Sequence, residues 1–136
     1  MIKIKNKKQE DININSSNTS ISVIILQQFL KQQGFAALPA DFIEFLHDGN
    51  GIIRNGGVIC GINADKNNCD ISNLNKSILH LLHKDMVFLG YDDFDYLAYN
   101  QKHKVYQIID KDDFEVLEEY TDFASAAQYI LKTDDD

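Results

Sequence analysis

The stretch MVFLGYDDFDYLAYNQKHKVYQIIDKDDFEVLEEY, residues 86–120, decides the fold. It contains four apolar or aromatic runs: Met86–Tyr91, Phe94–Tyr99, Lys104–Ile109 and Phe114–Tyr120. Asn100–His103 and Asp110–Asp113 separate the later runs with residues that favour tight hairpin turns. Strands joined by such turns run antiparallel, so the region reads as a β-meander. Immediately after it, Thr121 or Asp122 can cap a helix whose buried stripe is Phe123, Ala126, Ala127, Ile130 and Leu131.

Upstream of the meander, Gly56-Gly57 opens the apolar run Val58–Ile62, which reads as one more strand. Residues 63–77 are Asn-rich and read as irregular, and Ile78–His83 as a short helix. Earlier still, Leu38-Pro39-Ala40-Asp41 introduces a helix with Phe42, Phe45 and Leu46 on one face. Pro39 suits its first position, Asp41 and Glu44 complement its dipole, and Gly49 and Gly51 stop it. From Ser20 a first helix is expected, with Ile21, Ile25, Phe29, Leu26 and Leu30 as its apolar face and Gly34 as its cap. Residues 1–18 read as a flexible polar extension, although Ile2, Ile4, Ile12 and Ile14 alternate with polar residues and leave room for a short edge strand. The expected class is α+β. An antiparallel meander of about four or five strands carries the N-terminal helices and a C-terminal helix on one face. The domain spans 19–132, and 133–136 form an acidic tail.

Length and composition fit one ordinary globular domain: 136 residues, 44% hydrophobic and 25% charged. Charge is unevenly spread. Residues 1–84 carry +2 and residues 85–136 carry −10, together the −8 of the chain. An acidic half repels phosphate backbones, which argues against nucleic acid as a partner. It attracts basic protein surfaces instead, though it also suits plain solubility. The lysines at 3, 5, 7 and 8 could open a signal peptide, but Gln9, Glu10 and Asp11 follow where an apolar segment is needed. Apolar stretches such as Val23–Leu26 are far too short for a membrane span. A cytoplasmic protein without a membrane partner is expected.

The residues that could carry chemistry are few. Cys60 and Cys69 lack C-x-x-C spacing and read as a buried strand residue and a loop thiol. His80 and His83 share a helical spacing without the carboxylate of a metal motif, and His47 suits a helix C-terminus. Asp110–Asp113 fail as a calcium loop, because Glu115 falls where glycine is needed and Thr121 where glutamate is needed. Gly49, Gly51, Gly56 and Gly57 follow a helix and precede a strand, the reverse of a phosphate loop. No cofactor, metal or catalytic residue is therefore expected, and the chain reads as a binding module. The candidate contacts are Tyr91, Asp92, Asp93, Asp95, Tyr96, Asp110, Asp112, Asp113 and Glu115. Tyrosines beside carboxylates suit an interface. Aspartates in hairpin turns equally serve their own backbone.

Three features together resemble the SUKH superfamily, the domains related to the yeast cell-wall assembly regulator and to many bacterial immunity proteins. Leu38-Pro39-Ala40-Asp41-Phe42-Ile43-Glu44-Phe45-Leu46, ending in Asn50-Gly51, is similar to that family's Leu-Pro, helix, Asn-Gly signature. Phe88-Leu89-Gly90 leading to Asp95-Tyr96-Leu97-Ala98-Tyr99 resembles its hairpin, and Val105-Tyr106 before the Phe123 helix resembles its closing segment. The likeness covers roughly residues 20–131. The chain departs from it in its N-terminal extension, in the Asn-rich insert at 63–77, and in lacking tryptophan. The resemblance implies a non-enzymatic protein that binds and neutralises a bacterial toxin, many such toxins being basic nucleases. The alternative it leaves open is a regulatory or scaffold module that binds cellular proteins.

Overall fold

The computed structural model describes residues 12–13, 19–62, 69–78 and 85–133. Seven strands form one antiparallel sheet in chain order: β1 (Ile12–Asn13), β2 (Ile52–Arg54), β3 (Gly57–Ile59), β4 (Met86–Tyr91), β5 (Asp95–Asn100), β6 (Val105–Asp110) and β7 (Val116–Tyr120). The helices are α1 (Thr19–Gln33), α2 (Ala40–Gly49), α3 (Ile71–Ile78) and α4 (Phe123–Leu131). The class is α+β, as the hairpin pattern implies. The sheet exceeds expectation by β1 and β2. The first uses the alternation around Ile12. The second was hidden by its length of three residues, yet Asn55-Gly56 between Ile-Ile and Val-Ile is a strong hairpin signal. Both turn residues have positive φ, 53° and 83°.

Alternation along the strands divides the core in two. Val87, Leu89, Leu97, Tyr106 and Ile108 face α1, α2 and α4 in the larger cluster. Phe88, Ala98 and Ile109 point to the opposite face, where Ile78 and Leu74 of α3 pack on them. Helices therefore cover both faces, not one. The C-terminal helix buries the five residues its spacing predicts, and the Asp122 carboxylate accepts the Ser125 N–H at its N-terminus. A second carboxylate reaches this helix from α2. Asp41 Oδ2 accepts the Phe123 N–H at 2.9 Å, and Oδ1 accepts the Tyr106 hydroxyl. One side chain thus ties α2, β6 and α4 together. Burial, followed by this acceptor, holds the Tyr106 phenol far above its usual pKa.

Two elements differ from the sequence reading. In α1 the buried stripe is Val23, Leu26 and Leu30, while Ile21 and Ile25 stay about three-fifths exposed. Both sets have helical spacing, so periodicity could not choose between them; packing does. In the Asn-rich insert, residues 71–78 are helical, earlier than the helix expected at Ile78–His83. His80 and His83 lie outside the described residues. Asp70 caps α3, accepting from the Asn73 N–H and the Ser72 hydroxyl. Both cysteines are buried thiols; Cys60 follows β3 directly, and Cys69, expected in a loop, is also sequestered.

Two buried asparagines act as substitute strands. Asn50, left-handed at the end of α2, donates to the Ile62 carbonyl at 2.9 Å and accepts its N–H at 2.7 Å. Asn75 of α3 donates to the Phe88 carbonyl and accepts the Phe88 N–H, both at 2.8 Å. Gly90 marks the bulge of β4, where a Cβ would collide with the Val58 carbonyl. Replacing Asn75 with leucine keeps the volume but strands a buried N–H and a buried carbonyl. We expect Asn75→Leu to cost about 2–4 kcal/mol. Urea denaturation should show a lower midpoint with an unchanged slope.

Candidate functional site

The meander brings the two acidic runs of the sequence to one end of the sheet. The β4–β5 turn and the β6–β7 turn emerge side by side, because Asp95 pairs with Asp110 across β5 and β6. The Lys111 N–H donates to the Phe94 carbonyl at 3.0 Å, joining the two tips directly. All nine candidate contact residues lie on or beside this end.

They divide into builders and displayed groups. Asp92 is only 7% exposed; its Oδ1 accepts the N–H groups of Phe94 and Asp95 at 2.9 and 2.8 Å. Its Oδ2 meets the Lys132 ammonium at 2.9 Å, which fastens the tip to the end of α4. Burial pushes the Asp92 carboxyl up, but Lys132 and the two backbone donors outweigh it and leave the pKa below normal. Asp95 is also buried and is shifted the other way, raised by burial and then by the charges of Asp92 and Asp110. Asp110 folds the second tip by accepting the N–H groups of Asp112 and Asp113, and Asp113 accepts that of Glu115. Asp93, Asp112, Asp113 and Glu115 remain exposed at the surface.

Phe94 is the residue that sequence reasoning left out of the site. The turn built on Asp92 pushes its ring outward, and it is 76% exposed. A phenylalanine displayed this far is an exposed apolar ring on a turn that also carries carboxylates. Its signal was present in the sequence: an aspartate two residues before it, able to bond its N–H.

Tyr91 and Tyr96 are half-buried neighbours in register on β4 and β5. Lys111 lies over both rings, 4.9 and 5.4 Å from their centroids. They line a groove of about 290 Å³ whose opposite wall is Asp70, Asn73, Leu74 and Ser77. Tyr96 also packs on Phe88 and Phe114, so its ring belongs largely to the second core. With Lys111 drawn over the tyrosines and Lys132 held by Asp92, the two lysines nearest the tips are both engaged inward.

Among the described residues no group of three or more His, Cys, Asp or Glu side chains is arranged to hold a metal ion. Nor is any helix among them long and apolar enough to cross a membrane. No family model, curated protein or solved structure matches the chain.

The opposite pKa shifts of Asp92 and Asp95 give substitutions of opposite sign. Asp92→Ala should cost about 1–2 kcal/mol at neutral pH by removing the turn acceptor and the Lys132 pair. Its folded pKa is lowered, so this contribution is complete above the ordinary carboxylate range and fades as pH falls through the folded value. Asp95 has a raised folded pKa, so its ionisation burdens the fold once pH has risen through that value. Asp95→Asn should therefore stabilise at neutral pH and do nothing in acid. Melting temperature measured across pH for the wild type and both variants checks the pair of signs.

Proposed function

We propose that this chain is a non-enzymatic binding module of the cytoplasm that docks a basic protein surface on the acidic end of its sheet. Its role, in this reading, is that of a SUKH-type immunity protein that neutralises a bacterial toxin domain. The observation that carries the binding reading is the convergence of two hairpin tips around the exposed Phe94. Four displayed carboxylates, Asp93, Asp112, Asp113 and Glu115, lie with this apolar ring on two adjoining turns already folded by Asp92 and Asp110. Preformed tips lose little conformational freedom on binding, and their charge speeds encounter with a cationic partner. Carboxylates spaced along a rigid edge also suit a surface evolved to hold phosphates, which is the surface of a nuclease toxin. The resemblance of residues 20–131 to the SUKH domains supports the immunity role.

The immunity role is tested by expressing the chain together with each protein encoded beside its gene and scoring growth. Survival that depends on this chain supports the role; death regardless of its presence removes it. The binding mode is tested separately, by association kinetics with the recovered partner. Asn in place of Asp93, Asp112 and Asp113 should slow association about tenfold at low salt and flatten its salt dependence. Phe94→Ala should leave folding intact and weaken affinity by about 2 kcal/mol through faster dissociation. An association rate indifferent to salt and to these charges would rule out the acidic end as the docking surface.

A further inference from the structure

We propose that the free edge of β7 takes up an extended, lysine- or arginine-bearing segment of the partner as an added strand of the sheet. This deepens the reading above and rests on it, since it assumes a basic partner. It assigns the main-chain part of recognition to a different element from the hairpin tips.

Among the described residues the edge is open and long enough to pair. β7 ends the sheet order and bonds only β6 among the described strands. Val116–Glu119 are all exposed, with Val116 at 47% and Leu117 at 42%. A bulge sets Ile108 opposite Glu118 and Ile109 opposite Val116, so Leu117 has no counterpart on β6. The opposite edge, β1, spans two of the described residues. An uncovered strand edge is a template for another chain, with main-chain bonds supplying affinity and alternate side chains supplying selectivity.

Charge decides which chain. A second copy pairing antiparallel about Glu118 would set that carboxylate against itself. Shifting the register by one sets Glu118 against Glu119 instead. Like charges directly opposite destabilise a strand pair, so the edge resists self-association. A cationic strand meets the reverse situation. Glu118 and Glu119 point to opposite faces of the sheet, and the Gln107 amide donates to Glu119 at 2.7 Å, fixing one acceptor in place. Paired lysines would meet both carboxylates, while apolar residues beyond them covered Leu117 and Val116. The same segment would run on past Glu115 toward the acidic tips, making edge and tips one continuous surface.

The test uses the full chain and a blocked synthetic peptide, Thr-Lys-Lys-Val-Val-Thr, at millimolar concentration, with Thr-Glu-Glu-Val-Val-Thr as its counterpart. Backbone amide hydrogen exchange and NMR shifts are followed along the sequence. The expected result is slowed exchange and shifted amides in Val116–Tyr120 with the lysine peptide only. Reversing both charges in E118K/E119K should weaken that peptide about tenfold or more and admit the glutamate peptide. Glu119 also accepts the buried Gln107 amide, so E118K is tested beside the double variant, and a cooperative thermal unfolding transition confirms that each is folded. If the lysine peptide shifts Asp93 and Phe94 but leaves β7 exchange unchanged, strand addition is overturned and the acidic-tip reading survives. If it affects neither, both fail. Protection of β7 by both peptides alike would overturn the charge selectivity that defines the proposed occupant.

Discussion

Phe88 sits just past the point where β3 stops bonding β4, and the carboxamide of Asn75 satisfies its N–H and carbonyl in place of a strand. Much of the second half of the structure depends on that substitution. It holds α3 against the sheet, which lets Leu74 and Ile78 bury Phe88, Ala98 and Ile109. It also supplies one wall of the groove in which Lys111 meets Tyr91 and Tyr96. Asn50 does the same for Ile62 at the end of α2. A side-chain amide carries one donor face and one acceptor face, so it can match a peptide group where no peptide is available. Buried strand ends without a partner are costly, and this chain meets the cost with asparagine rather than with longer strands.

The acidic end follows from the same economy of backbone satisfaction. Each tip is closed by an aspartate that turns inward, Asp92 in one and Asp110 in the other, and each closure pushes its neighbours out. The carboxylates that build the tips are therefore not the ones displayed to solvent. Asp93, Asp112, Asp113 and Glu115 are displayed because the builders hold the loops, and Phe94 is displayed for the same reason. Sequence reasoning that weighs turn formation against partner contact, residue by residue, treats as alternatives what the structure makes a division of labour.

How much could be read in advance depended on whether local pattern or tertiary packing decides. The strands β4 to β6 lie within a residue of their apolar runs, because hairpin turns fix where each must end. The stripe of α4 is fully legible, since Phe123, Ala126, Ala127, Ile130 and Leu131 are the only apolar face that helix has apart from Tyr129. In α1, by contrast, apolar residues lie on two faces, and the choice of Val23, Leu26 and Leu30 is made by the elements it packs on. The helix α3 was hidden because Asn and Ser are weak helix formers; its stability comes from Asp70 at its cap and Asn75 in the core. The site was legible as two acidic runs that could extend one patch, but the contact that joins them was not. Their union rests on the Asp95–Asp110 register, a contact between separate hairpins.

That register also says something about the energetics of the acidic end. Asp95 and Asp110 face each other with Asp92 close by, and the raised pKa of Asp95 reflects its burial and their repulsion. Lys132 and Lys111 offset part of this charge from within, yet both are already engaged, one with Asp92 and one over two aromatic rings. Like charges held on a rigid frame cannot relax apart, so the free protein keeps an electrostatic cost that an unconstrained acidic tail would shed. A cation docked on the tips lowers that cost. If a basic partner docks there as proposed, part of its binding energy comes from relief of this repulsion, and so from the same fold that preorganises the tips.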